Sequence, residues 1–195
     1  MSDTLLWYTT RGAGAVSLVL LSAVVALGFL TRARVEGRGW PRFLTAALHR
    51  DLALTSLAFL SLHIVTAAVD PFTHLGLTAV AVPFGSYYRT LWLGLGTISF
   101  ELMLAVIATS LLRHVIGART WRAVHWLAYA AWPVAVAHGL GTGTDAFSLW
   151  LLSITVLCVA GVLAAGGFRF LSGRADPLAV ERRTAQAAAS VGAGR

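Results

Sequence analysis

An all-α, polytopic integral membrane helix bundle is the fold class this sequence predicts, and three observations carry it. Hydrophobic residues make up 57% of the 195 and charged residues 12%, about half the charged share of an ordinary soluble domain. The apolar residues gather into five stretches, each near the roughly 20 residues a helix needs to cross a hydrocarbon core about 30 Å thick. The 15 basic residues are all arginine and stand mostly at and between the ends of those stretches. The formal charge of +7 is therefore a matter of membrane topology, not of nucleic-acid binding. Cys158 is the one cysteine, which excludes an internal disulfide and a cysteine-ligated zinc or iron–sulfur site.

The five predicted spans are 13–31, 44–69, 91–112, 122–140 and 146–170. The first has no basic region before it and no small-residue cleavage site, so it is expected to remain in the mature chain. Arginines follow spans one, three and five (Arg32, Arg34, Arg38, Arg42, Arg50; Arg113, Arg119, Arg122; Arg169, Arg174, Arg182, Arg183, Arg195), and only Arg11 and Arg89 fall on the opposite side. Short cytoplasmic loops collect positive charge, which predicts the N-terminus outside and the C-terminus inside a plasma membrane. Trp7, Trp40, Trp92, Trp121, Trp126 and Trp150 lie near predicted span ends, where indole prefers the headgroup boundary. The segment 70–90, with Pro71, Pro83 and Gly85, reads as an external loop on the outer interface. Residues 1–170 form the membrane domain, and 171–195, rich in Ala, Gly and Arg, read as a disordered cytoplasmic tail.

An ionisable residue inside a membrane is a functional-site hypothesis by default. His49 and His63 lie fourteen residues apart on span two, and His125 and His138 lie thirteen apart on span four. At a rise of about 1.5 Å per residue, each pair places one imidazole near each face of the hydrocarbon core. Spans two and four run in the same direction, so His49 shares a depth with His125, and His63 with His138. Two facing histidines repeated at a second depth suit two stacked b haems, each iron held axially by two imidazoles. Small residues such as Ser56, Ala128 and Ala131 leave room for the macrocycles. Thirteen residues leave an ideal helix about 140° out of phase, and Pro133, between His125 and His138, is expected to kink span four and restore the aim.

This pattern, together with the stretch RTWRAVHWLAYAAWPVAVAHGLGTGTD from Arg119 to Asp145, resembles the ferric reductase and NADPH oxidase transmembrane family over about residues 10–170. The resemblance implies a di-haem b-type cytochrome that moves electrons from a cytoplasmic-side donor to an extracytoplasmic acceptor. Larger members have six helices and continue into a flavin and nicotinamide-binding region. No glycine-rich dinucleotide fingerprint occurs here in a strand–helix context, so the expected donor is a separate cytoplasmic flavoprotein or a quinol. Other readings stay open. One is a haem subunit like the membrane partner of a methionine sulfoxide repair enzyme, one a haem-free proton-coupled transporter using the histidines as a relay, and one a structural assembly subunit.

Arginine pairs well with haem propionates. Arg11 and Arg89, the two exceptions to the charge rule, are therefore candidates at the outer site. Arg50 and Arg122 adjoin ligands on the inner side, where the charge rule explains them equally well. Trp132, midway between His125 and His138, is a candidate to lie between the haems, with ordinary packing as the alternative. Glu101, halfway along span three, is expected to be protonated or hydrogen-bonded to a neighbouring helix. His74 and His114 read as solvated surface groups, with Asp70 and His74 a minor metal candidate.

Overall fold

The computed structural model describes residues 3–32, 42–71 and 75–174. Seven helices follow one another: α1 (Asp3–Arg32), α2 (Arg42–Val69), α3 (Gly76–Ala81), α4 (Thr90–Leu111), α5 (Arg113–His125), α6 (Ala128–Thr142) and α7 (Leu149–Arg174). Among the described residues four helices, α1, α2, α4 and α7, are long and apolar enough to cross a membrane.

The packing is that of a protein whose solvent is lipid. Side chains such as Phe43, Leu54, Val65, Leu104, Val156 and Leu163 stand exposed, while Ser17, Ser22, Thr45, Ser56, Thr66, Ser99 and Thr155 are buried. Lipid tails are as apolar as leucine, so helices associate through small residues and hydroxyls that let backbones approach. Most of these hydroxyls bond the carbonyl four residues back, as Ser17 does to Ala13 at 2.8 Å and Ser22 to Leu18 at 2.7 Å, which satisfies them without water. Ser99 bonds across helices to the Ala131 carbonyl at 3.0 Å. α1 packs against α2 and α7, and α4 against α6. α2 and α6 are not among the closely packed pairs.

The fourth span differs from the expectation. Residues 122–140 are not one helix: α5 ends at His125, and α6 begins at Ala128 and runs only 15 residues. Trp126 (φ −63°, ψ −22°) and Leu127 (φ −62°, ψ −21°) have 3₁₀ dihedrals. Leu127, Tyr129 and Ala130 donate to carbonyls three residues back. The break precedes Pro133, which sits inside α6. Continuous apolar character hid it, because periodicity does not distinguish α from 3₁₀ winding. α5 itself bends at Gly117, whose φ of +78° is open to glycine and strained for other residues; this redirects the chain between α4 and α6.

Two further expectations change. The 70–90 segment contains α3, whose Ala79 is buried and accepts from Thr97 of α4 at 2.8 Å. Glu101 is exposed on α4, and among the described residues no hydrogen bond joins it to a neighbouring helix. α7 continues to Arg174. The remainder of the predicted tail, with Trp40 and His74, lies outside the described residues.

Candidate functional site

The four histidines singled out by their spacing come together as two pairs. His49 of α2 and His125 at the end of α5 have ring centroids 6.2 Å apart, and His63 of α2 and His138 of α6 are 6.3 Å apart. The 3₁₀ stretch contributes to the aim of the second pair. Three residues per turn instead of 3.6 adds about 20° per residue, so Trp126 and Leu127 recover roughly 40° of the 140° phase error.

Three of the four rings are held alike. Nδ1 of His63 donates to the Thr10 carbonyl at 2.8 Å, Nδ1 of His49 to Val24 at 3.1 Å, and Nδ1 of His138 to Trp92 at 2.8 Å. A carbonyl only accepts, so Nδ1 carries the proton and Nε2 keeps its lone pair for a metal. In each case the residue four positions after the carbonyl is a glycine on which the ring lies. A β-carbon at Gly14 would meet His63 Nδ1 at 2.9 Å, one at Gly28 would meet His49 Cε1 at 3.7 Å, and one at Gly96 would meet His138 Cε1 and Nδ1 at 2.6 Å. With no side chain over it, the preceding turn's carbonyl is open to a second donor. These glycines and carbonyls were missed in the sequence. One signal marked them: Gly14 and Gly28 repeat the fourteen-residue interval of His49 and His63. His125 is the exception, for its Nδ1 is buried without a partner.

A cavity of about 870 Å³ surrounds His63 and His138, lined by α1, α2, α4 and α6 and including Gly14, Ser56 and Gly96. That is within the range of cofactor pockets, about 300–1,000 Å³. Of the small residues expected to leave room for macrocycles, Ser56 lines this cavity, whereas Ala131 is packed into the core beside Trp132 and Ala128 is half-buried outside the lining. Axial bonds of about 2 Å on each side of a metal, with each ring centre about 1 Å behind its nitrogen, put two centroids roughly 6 Å apart. Both pairs meet that spacing. Among the described residues no three His, Cys, Asp or Glu side chains gather to hold a bare metal ion. The donor set suits a metal whose other ligands arrive with it, which is how a porphyrin presents iron.

The remaining candidates lie around this frame. Arg11 pairs with Asp145, donates to Thr144 Oγ1 at 2.7 Å and stands over the Trp7 ring, and its Nε is buried without a partner. Arg89, at a left-handed position before α4, donates to the Gly141 carbonyl. Arg50 pairs with its neighbour Asp51 on the surface at 2.9 Å, and Arg122 is exposed. Trp132 is buried in a core cluster with Leu21, Val25, Met103, Ala131 and Val162, and its Nε1 donates to Ser22 Oγ at 2.9 Å. By register this cluster lies between the two histidine pairs. His114 is exposed, and Cys158 is half-buried on α7.

The family described as ferric reductase like transmembrane component matches residues 13–136. No curated protein and no solved structure matches the chain.

Proposed function

The chain belongs to the ferric reductase-like transmembrane component family, and from that premise we propose that it is a di-haem b-type cytochrome. It carries electrons across the plasma membrane from a cytoplasmic-side donor to an extracytoplasmic acceptor. The observation that carries this reading is the two opposed imidazole pairs at 6.2 and 6.3 Å, a spacing that suits axial ligation of one iron by each.

His49 and His125 hold the inner group, and His63 and His138 the outer. Bound iron supplies one-electron chemistry, while the protein supplies ligands, orientation and a dry surrounding. The arginine distribution supports an outer N-terminus, an inner C-terminus and a fifth crossing by the short α6 with the end of α5. Arg11, with its free Nε, and Arg89 stand at the rim of the outer site, where propionates would emerge. Arg50 stands beside the inner ligand His49. The donor is a separate cytoplasmic flavoprotein or a quinol, and the acceptor meets the outer edge near the 70–90 segment.

The test is a reduced-minus-oxidised spectrum of the purified membrane protein with pyridine haemochrome quantitation. Two b haems per chain are expected, and His63→Ala should lose one. A colourless preparation would overturn the reading in favour of a proton-coupled transporter, and one haem per wild-type chain would overturn the paired arrangement.

A further inference from the structure

The unpartnered Nδ1 of His125 contrasts with a register of acceptors that continues on the neighbouring helix. Along α1, Gly14 and Gly28 open two carbonyls fourteen residues apart; along α4, Gly96 opens one, and fourteen residues on stands Ser110. The carbonyl four residues before it, Val106, would be the fourth acceptor. Ser110 Oγ donates to it at 2.7 Å and Thr109 Oγ1 at 3.2 Å, so it is already occupied, and the serine β-carbon stands where the other three sites have none. Ser110 Oγ in turn accepts from Trp121 Nε1 at 3.3 Å, and the Trp121 ring lies 5.1 Å from the His125 ring, tilted by 33°. His125 is therefore positioned by an indole, where the other three imidazoles are positioned by a hydrogen bond.

Resting on the di-haem reading, we infer that Ser110 is a positioning residue that makes the inner site electronically unlike the outer one. A hydrogen bond from Nδ1 raises the basicity of a ligating imidazole and favours the oxidised metal. The outer iron has two such ligands and the inner iron one, so the inner haem has the higher midpoint potential. Arg50 is paired with Asp51 on the surface, and Arg122, three residues before His125, is exposed, so of the two only Arg122 pushes, weakly, in the same direction by favouring the reduced, less positive iron. Substitution of Ser110 separates the two contributions, because it leaves both arginines in place.

The experiment is a spectroelectrochemical titration of the purified two-haem protein. Wild type titrates as two components. His63→Leu removes an outer ligand and retains the inner component, which is expected to be the one with the higher midpoint. Ser110→Gly removes the β-carbon and the nearer of the two hydroxyl donors to the Val106 carbonyl, Thr109 keeping its closer bond to the Ala105 carbonyl at 2.7 Å; the freed lone pair becomes available to His125, which lowers the inner midpoint while the outer stays in place. Ser110→Thr keeps both features and leaves both midpoints at their wild-type values. An inner midpoint unmoved by Ser110→Gly, or an equal shift of both components, overturns the inference. Should Ser110→Gly fail to accumulate, the wild-type order decides, and an inner midpoint below the outer overturns it. Absence of haem from wild type would bring down the functional reading itself, whereas two haems with an unmoved inner midpoint would sink this inference alone.

Discussion

Replacing each ring-bearing glycine by alanine should produce a graded loss of haem, with the grade set by distances in the structure. At position 96 a β-carbon would stand 2.6 Å from two atoms of the His138 ring. Carbon contacts settle near 3.5–4.0 Å, so the ring must retreat by about 1 Å. Its Nδ1 lies 2.8 Å from the Trp92 carbonyl, and the same retreat carries that bond beyond about 3.5 Å, outside hydrogen-bonding range. The orphaned donor costs about 1–3 kcal/mol, and loss of such an outer partner typically costs about 10–100-fold in metal affinity. At position 14 the nearest ring atom is at 2.9 Å, a smaller clash, and at position 28 it is at 3.7 Å, ordinary contact. Pyridine haemochrome assays at matched protein concentration should therefore give two haems per chain for Gly28→Ala, partial loss for Gly14→Ala, and close to one for Gly96→Ala. Equal haem in all three variants, or a greater loss from Gly28→Ala than from Gly96→Ala, would refute the reasoning.

Three other outcomes follow from the same geometry. Ser22→Ala leaves the Trp132 indole N–H without its acceptor in the core; it should cost about 1–3 kcal/mol in detergent unfolding with the haem spectrum unchanged. Asp145→Asn removes the charge partner of Arg11 and should destabilise by about 1.5–3 kcal/mol. Adding Arg11→Gln should cost little more, a non-additivity that a double-mutant cycle by thermal unfolding would measure. Glu101→Leu replaces an outward-facing carboxylate on a membrane span and should raise stability in lipid nanodiscs by up to about 2.5–3.5 kcal/mol, with haem content retained; a loss of stability would contradict its outward placement.

The bundle and its histidines were legible in the sequence for one physical reason: ionisable groups are rare in apolar helices, so their spacing carries information. His49 and His63 stand out against Leu, Ala and Val in a way that no side chain of a soluble helix would. Other features leave weaker traces. The turn at Trp126 and Leu127 sits in an unbroken apolar run, and Pro133 drew attention to a place several residues beyond it. Gly14, Gly28 and Gly96 are three among 19 glycines, in a class of helix where glycine is common for packing alone. Their role depends on which carbonyl lies one turn earlier and which ring rests above it, a relation between helices. The exposure of Glu101 was not legible because hydropathy gives depth but not azimuth: nothing along α4 tells which side of the helix meets lipid.

The cluster around Trp132 has a consequence for energy conservation. Leu21, Val25, Met103, Ala131 and Val162 close around an indole pinned to Ser22, and the hydroxyls at this level, Ser22 and Ser99, are tied to the Leu18 and Ala131 carbonyls. Tunnelling needs no hydrated chain, whereas protons and ions do. Under the proposed function, this packed septum would bar protons and ions while an electron tunnels between the two histidine pairs. Under that reading, the voltage the bilayer sustains, worth about 2.3 kcal/mol per elementary charge for each 100 mV, would act on the transferred electron instead of being short-circuited through the protein.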